Sequence, residues 1–220
     1  ERMESERIIN FDDNKILSLY EEQNKHDNQD DERGWYRKKY KETLKGKKVL
    51  DLGSGAGKDG IFFALNGANV TFADLIESNL ELIKKVCKLY KLNCEFKHIK
   101  KFDDYSEFVG MDYIFAQGSL HHNPINITKK IINIMSKNFI KNETRFLILS
   151  YPKERWVFEG SKPFSKWGLV TDGPSTPWAQ YFEKEQIYYL FGKDIKLLSE
   201  IKWNKTYNTN NFIFFDILIK

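Results

Sequence analysis

Two cysteines among 220 residues, Cys87 and Cys94, are too few for a disulfide scaffold. A metal centre would need more ligands than these two supply. Both flank the end of a helical stretch, so free thiols in a reducing cytoplasm are expected. No apolar run approaches the ~18 residues of a membrane span, so no membrane partner is expected. No signal-peptide pattern opens the chain. Its first residue is Glu1 rather than methionine, as a trimmed sequence would show. Internal repeats and low-complexity segments are absent. Charge of one sign is not concentrated anywhere: the net charge is +4, with 35 Lys and Arg interleaved among 31 Asp and Glu. That pattern reads as a solvated surface rather than a nucleic-acid face.

A hydrophobic share of 41% over 220 residues suits a single domain, 1–220, with a sizeable core. Its expected parts are an N-terminal helical lid over 1–45, a core over 46–150, an aromatic cap over 151–182, and a terminal helix and hairpin over 183–220. Apolar positions Ile8, Ile9, Ile16, Leu17 and Tyr20 recur at helical spacing. Glu21 to Gly34 is polar, and a further helix is expected from Trp35 to Leu44. From Lys47 onward strand and helix patterns alternate. Strands are expected at 48–52, 69–73, 94–98, 111–116 and 144–150, and helices at 58–66, 77–91 and 125–141, with Ser78 or Glu77 capping the second. A helix at 183–191 and a β-hairpin at 195–203 and 211–219 complete the pattern. The alternation implies an α/β fold with a doubly wound sheet, mostly parallel, helices on both faces, and ligands beyond the strands' carboxyl ends.

One stretch is rich in glycine, Asp51-Leu52-Gly53-Ser54-Gly55-Ala56-Gly57. It joins a buried strand to a helix, where glycines let the backbone turn sharply and approach a ligand. Asp74 ends the next strand about 20 residues on, the spacing at which a carboxylate binds ribose hydroxyls. With Met111-Asp112-Tyr113-Ile114-Phe115-Ala116-Gln117-Gly118-Ser119-Leu120-His121-His122, these residues resemble the class I S-adenosylmethionine-dependent methyltransferases, in their small-molecule, methyltransferase type 11-like branch. The resemblance covers about residues 45–150. It implies a Rossmann-like seven-stranded sheet with an antiparallel C-terminal hairpin, S-adenosylmethionine as donor and S-adenosylhomocysteine as product.

The resemblance also assigns candidate roles. Gly53, Ser54, Gly55 and Gly57 form the cofactor turn. Asp51 supports the methionine ammonium; the rival reading is a strand-end carboxylate satisfied by backbone amides. Asp74 and Leu75 flank the ribose and adenine, with a helix cap as the rival role for Asp74. Gln117, Gly118 and Ser119 line the methionine arm. Trp35 and Arg37 lie where an N-terminal helix closes over the cofactor, and Arg37 suits its carboxylate. One departure stands out: Lys100 stands where the usual adenine-binding acid is expected, leaving Lys101, Phe102 and Asp103 as candidates.

His122, or else His121, is the candidate base, since a strand-end imidazole can take a proton from a hydroxyl. His26 and His98 read as surface or structural. Four of the chain's five prolines, Pro152, Pro163, Pro174 and Pro177, fall in 151–181. Tyr151, Arg155, Trp156, Asp172, Trp178 and Tyr181 there mix aromatic faces with hydrogen-bonding groups. That mixture suits a sugar, and the rival reading is a segment pinned by its own aromatic cluster. The expectation is O-methylation of a sugar or nucleotide-linked sugar by a monomer or homodimer. N-methylation of an amino sugar or other amine is the alternative, followed by an RNA or protein methyltransferase and a non-catalytic cofactor-binding subunit. No Asn/Asp-Pro-Pro-aromatic motif is present; Asn123-Pro124-Ile125 is not one.

Overall fold

The computed structural model describes residues 5–26, 34–206 and 208–220. The side chain of His26 and most of the polar stretch before Gly34 lie outside the described residues. The strands form one seven-stranded sheet in the order β3-β2-β1-β4-β5-β7-β6. Their ranges are β1 Lys48–Leu52, β2 Asn69–Asp74, β3 Glu95–His98, β4 Tyr113–Gln117, β5 Arg145–Ser150, β6 Ile195–Thr206 and β7 Thr209–Ile219. By contact density the chain divides into two units, residues 1–100 with 111–114, and residues 101–110 with 115–220.

In the first unit β1 pairs with β2 and β2 with β3, all parallel. Val49, Leu50, Leu52, Val70 and Phe72 are buried, as expected of strands covered on both faces. Helices α4 (Lys58–Leu65) and α5 (Glu77–Leu89) pack on them, with α1 (Ser5–Ile8) and α2 (Asp13–His26) against α5 and α3 (Trp35–Leu44) against α4. The single helical pattern expected from residue 5 is two helices. Asp12 breaks it by accepting the Lys15 N–H at 2.9 Å, which caps α2. Lys85 on α5 ties the break down, binding the carbonyls of Ile9 and Phe11 and the Asp13 carboxylate. Neither Ser78 nor Glu77 caps α5: Ile76 stands at its cap, and no side chain closes it. Lys91, at φ 56°, ends the turn beyond α5, and the Leu92 N–H returns to the Cys87 carbonyl. Cys87 and Cys94 are both free.

In the second unit β5 and β6 each pair antiparallel with β7. The hairpin runs further than its apolar pattern, because Lys205 pairs with Asn210 and Thr206 with Thr209. Asn211 supports that extension by bonding the side chains of Asn204 and Thr206. Helix α6 is Ile125–Met135, shorter than expected, and a 3-10 turn over Ser136–Asn138 follows it. The proline-rich segment is folded rather than looped, as α7 (Lys153–Phe158) and α8 (Phe164–Thr171), ahead of α9 (Lys184–Phe191). Fully buried Trp167 centres it, beside Tyr151 and Ala179, with Trp156, Phe164 and Tyr181 packed around them. Gly168 permits this packing: a Cβ there would lie 2.1 Å from the Thr176 carbonyl. Among the described residues, no helix is long and apolar enough to cross a membrane.

Candidate active site

The glycine turn in the first unit is held by its own backbone and by the end of β2. Gly53, Gly55 and Gly57 have φ of 71°, 54° and 70°, the left-handed region that side chains disfavour. Gly53 N–H donates to the Ala73 carbonyl at 2.8 Å, and Gly57 N–H to the Ser54 carbonyl at 2.7 Å. Ser54 Oγ donates to the Asp51 carbonyl at 2.7 Å and accepts from Ala73 N–H at 3.1 Å. Asp74 braces the turn: its Oδ2 accepts the Gly55 N–H at 2.7 Å and its Oδ1 the Ile76 N–H at 2.8 Å. The carboxylate thus fixes both the turn and the entry to α5. A Cβ on Gly55 would meet no atom within 4 Å, so the turn's crest faces open space.

Around this turn three carboxylates gather. Burial pushes the Asp51 carboxyl well above the usual range, and the neighbouring Asp59 and Asp74 add to that; the Gly60 N–H and Arg37 oppose it. The Gly60 N–H bond to Asp51 Oδ2, at 3.2 Å, is the backbone contact of the rival reading. Arg37 is buried and committed to Asp59, Nε to Oδ1 at 2.6 Å, and Tyr36 OH donates to the same oxygen at 3.1 Å. The residue expected to meet a ligand carboxylate is therefore engaged with a carboxylate of the chain. Trp35 is half-buried, with Lys39 Nζ 5.6 Å from its ring. Sequence reasoning missed Tyr20, whose hydroxyl donates to the Ala56 carbonyl at 2.6 Å and so ties α2 to the turn. It also missed Ile76, exposed beside Leu75 just past Asp74. His98 Nε2 lies 3.1 Å from the Leu75 carbonyl, a structural contact.

In the second unit Lys101 opens a 3-10 turn over Phe102–Glu107. Its N–H donates to Asp104 Oδ2 at 3.0 Å, so the buried acid is Asp104, three residues on, at capping spacing. Asp103 is exposed. The Phe102 ring carries the Lys130 ammonium 3.9 Å from its centre, a cation–π contact. Gly118, at φ 67°, donates its N–H to the Leu149 carbonyl, and Gln117 Nε2 donates to the Leu147 carbonyl at 2.8 Å. A second 3-10 turn over Leu120–His122 follows, with the His122 N–H on the Ser119 carbonyl. His121 is fully buried, its ring 4.2 Å from that of His122 and 4.4 Å from that of Tyr151.

His122 is held differently. Its Nδ1 lies 3.0 Å from the Trp178 carbonyl, and its Nε2 lies 3.9 Å from Asp172 Oδ1. Tyr151 OH donates to that same Oδ1 at 2.7 Å. Arg155 sits over the Tyr151 ring at 4.2 Å and pairs with Glu159 at 3.0 Å. Trp156 and Tyr181 pack against one another and against Phe164, and Trp156 Nε1 donates to the Lys162 carbonyl. Those two rings pack within the segment. Trp178 Nε1 and Gln180 Nε2 differ from them: both are buried donors with no partner among the described residues. No described group of three or more His, Cys, Asp and Glu is placed to hold a metal ion.

The family model that matches, a methyltransferase domain, covers residues 43–194. No curated protein matches the chain. Among solved structures, TehB from Haemophilus influenzae is 18% identical, with a TM-score of 0.62, over 84% of this chain and 62% of its own. The chain thus spans less than two thirds of TehB. Magnesium protoporphyrin IX methyltransferase from Synechocystis PCC 6803, with bound S-adenosylhomocysteine, is 16% identical, with a TM-score of 0.63, over 98% of this chain and 93% of its own. The 1,6-didemethyltoxoflavin-N1-methyltransferase of Burkholderia thailandensis is 15% identical, with a TM-score of 0.59, over 94% and 86%. At such identities these likenesses concern the fold.

Proposed function

We propose that this chain, which belongs to the methyltransferase-domain family and is an S-adenosylmethionine-dependent methyltransferase, methylates a hydroxyl of a small polar molecule with His122 as its base. Residues of the first unit fit the cofactor. Three carboxylates set against one arginine leave buried negative charge that suits the methionine ammonium. Open space stands over Gly55, Asp74 suits the ribose hydroxyls, and Leu75 and Ile76 offer an apolar face for adenine. When bound, S-adenosylmethionine supplies an electrophilic methyl on a sulfonium. The chain's own work is to orient the acceptor, exclude water and take up its proton.

The observation that carries the base assignment is the His122–Trp178 contact. A carbonyl oxygen only accepts, so Nδ1 holds the ring's proton and Nε2 is the basic atom. Trp178 Nε1 and Gln180 Nε2 are donors suited to acceptor oxygens, which supports a polyhydroxylated acceptor such as a sugar. Relatives of this fold that act on magnesium protoporphyrin IX and 1,6-didemethyltoxoflavin support a small-molecule acceptor of some kind. An amine is the second reading: His122 Nε2 and Asp172 Oδ1, 3.9 Å apart, can take two N–H groups of one nitrogen. The test is transfer of labelled methyl from S-adenosylmethionine to panels of sugars, nucleotide sugars, amino sugars and RNA. Labelling confined to RNA would overturn the small-molecule reading, and labelling confined to amines would select the second one.

Trp178→Phe should raise the acceptor's KM roughly 3- to 10-fold, the worth of one neutral hydrogen bond, and leave S-adenosylhomocysteine affinity unchanged. Steady-state kinetics with calorimetry checks it; a loss confined to cofactor binding would remove Trp178 from the acceptor side. Asp51 sets a pH dependence. Its raised carboxyl must ionise to attract the ammonium, so S-adenosylhomocysteine affinity should strengthen as pH rises through that titration. The ligand-free fold moves the other way. The folded state holds this proton more tightly than the unfolded chain, so this contribution to stability fades as pH rises through the folded value. Calorimetric titrations across a pH series decide it, and a flat affinity would place Asp51 away from the ammonium.

A further inference from the structure

We propose that Asp172 is the positioning partner of His122, a clamped carboxylate that carries the counter-charge when the ring takes up a proton. This rests on the reading of His122 as the base. Asp172 follows α8, where its N–H donates to the Gly168 carbonyl at 2.8 Å. Its carboxylate is fixed at both oxygens: Tyr151 OH donates to Oδ1 at 2.7 Å, and Thr171 Oγ1 donates to Oδ2. Tyr151 is itself immobilised, between the rings of Trp167 and Phe212 and in a bridge with Tyr181. A carboxylate held this firmly needs no reorganisation when a positive charge appears beside it.

That charge appears at Nε2. The Trp178 carbonyl keeps the Nδ1 proton, so only Nε2 can accept another. The side chains of His122 and Asp172 are 18% and 13% exposed, which leaves their attraction only partly screened. At 3.9 Å, Nε2 and Oδ1 are too far apart for a direct hydrogen bond, so the carboxylate acts on the ring through its charge. An acceptor hydroxyl within reach of Nε2 donates to it. Its O–H bond breaks, the electron pair stays on the oxygen, and the proton forms a new bond to Nε2. The imidazolium then faces Asp172. Titratable or charged groups that touch this network include His121, whose ring lies 4.2 Å from that of His122, and Arg155, which lies over Tyr151 and is already paired with Glu159.

The test needs no acceptor. In the full chain labelled at histidine, the His122 ring is assigned by its loss in His122→Gln and titrated by NMR. In the wild type, the neutral ring should carry its proton on Nδ1; an Nε2–H tautomer would overturn the pairing without any variant. Asp172→Asn should move the His122 midpoint to lower pH, because removing an adjacent negative charge disfavours the imidazolium. Asp172→Ser, lacking the new amide, should move it the same way. An unmoved midpoint in a folded variant overturns the proposal. The base reading fails separately: if His122→Ala keeps its kcat while Asp172→Asn still shifts the midpoint, the pairing stands and the base lies elsewhere.

Discussion

Replacing Gly55 by valine should abolish S-adenosylhomocysteine binding, weakening it roughly 100-fold or more, while the protein still folds. The backbone at Gly55 has φ 54°, and a Cβ there meets nothing within 4 Å. The added Cβ therefore meets open space, and the main cost expected to folding is the left-handed strain, about 2 kcal/mol for a branched residue. On the proposed placement of the cofactor, the volume it fills is the ligand's. Gly57 makes the contrast, because a Cβ there would lie 2.6 Å from Ile83 and disturb the packing of α5 itself. Thermal melting separates the two effects, and calorimetry reads the binding. A folded Gly55→Val protein that binds S-adenosylhomocysteine normally would show that the turn does not cradle the cofactor.

His122→Ala should lower kcat by about 10²–10⁴-fold on a hydroxyl acceptor, with cofactor affinity nearly intact. The wild-type rate should rise with pH as Nε2 loses its proton and becomes able to accept another. In the variant that rise should vanish. The tertiary contact behind this expectation is specific: Trp178, far along the chain, holds Nδ1 and so leaves Nε2 as the basic atom of the ring. On this reading His121 does not share the role. Its ring is fully buried, between those of His122 and Tyr151, where a passing charge is costly. An unchanged kcat with an unmoved pH profile would reduce His122 to a wall of the pocket. On an amine already deprotonated in solution the same substitution should matter much less.

The glycine turn was legible because its information is local. Asp51, Gly53, Gly55 and Gly57 lie within seven residues, and the φ values of those glycines follow from the absence of a Cβ. Asp74 was legible as the acid ending β2, although the structure gives its oxygens a second task, bracing Gly55 and opening α5. The alternating pattern likewise predicted the strands to within a few residues, since apolar runs of that length have few other places to go.

What the chain order conceals is who meets whom. Nothing near Arg37 in sequence reveals that Asp59 takes it, or that the Tyr20 hydroxyl closes on Ala56. Composition likewise could not sort the rings of 151–181. Trp156 and Tyr181 stabilise the segment by packing on Phe164, whereas Trp178 keeps a buried N–H without a partner among the described residues. The triad of His122, Tyr151 and Asp172 is likewise a product of tertiary folding. The sequence by itself determined the fold class, the donor and the glycine turn, because backbone sterics and strand periodicity act over a few residues. Only the tertiary structure decided which histidine is oriented and which carboxylate faces it, because those choices depend on distances between segments some 50 residues apart, which no local pattern records.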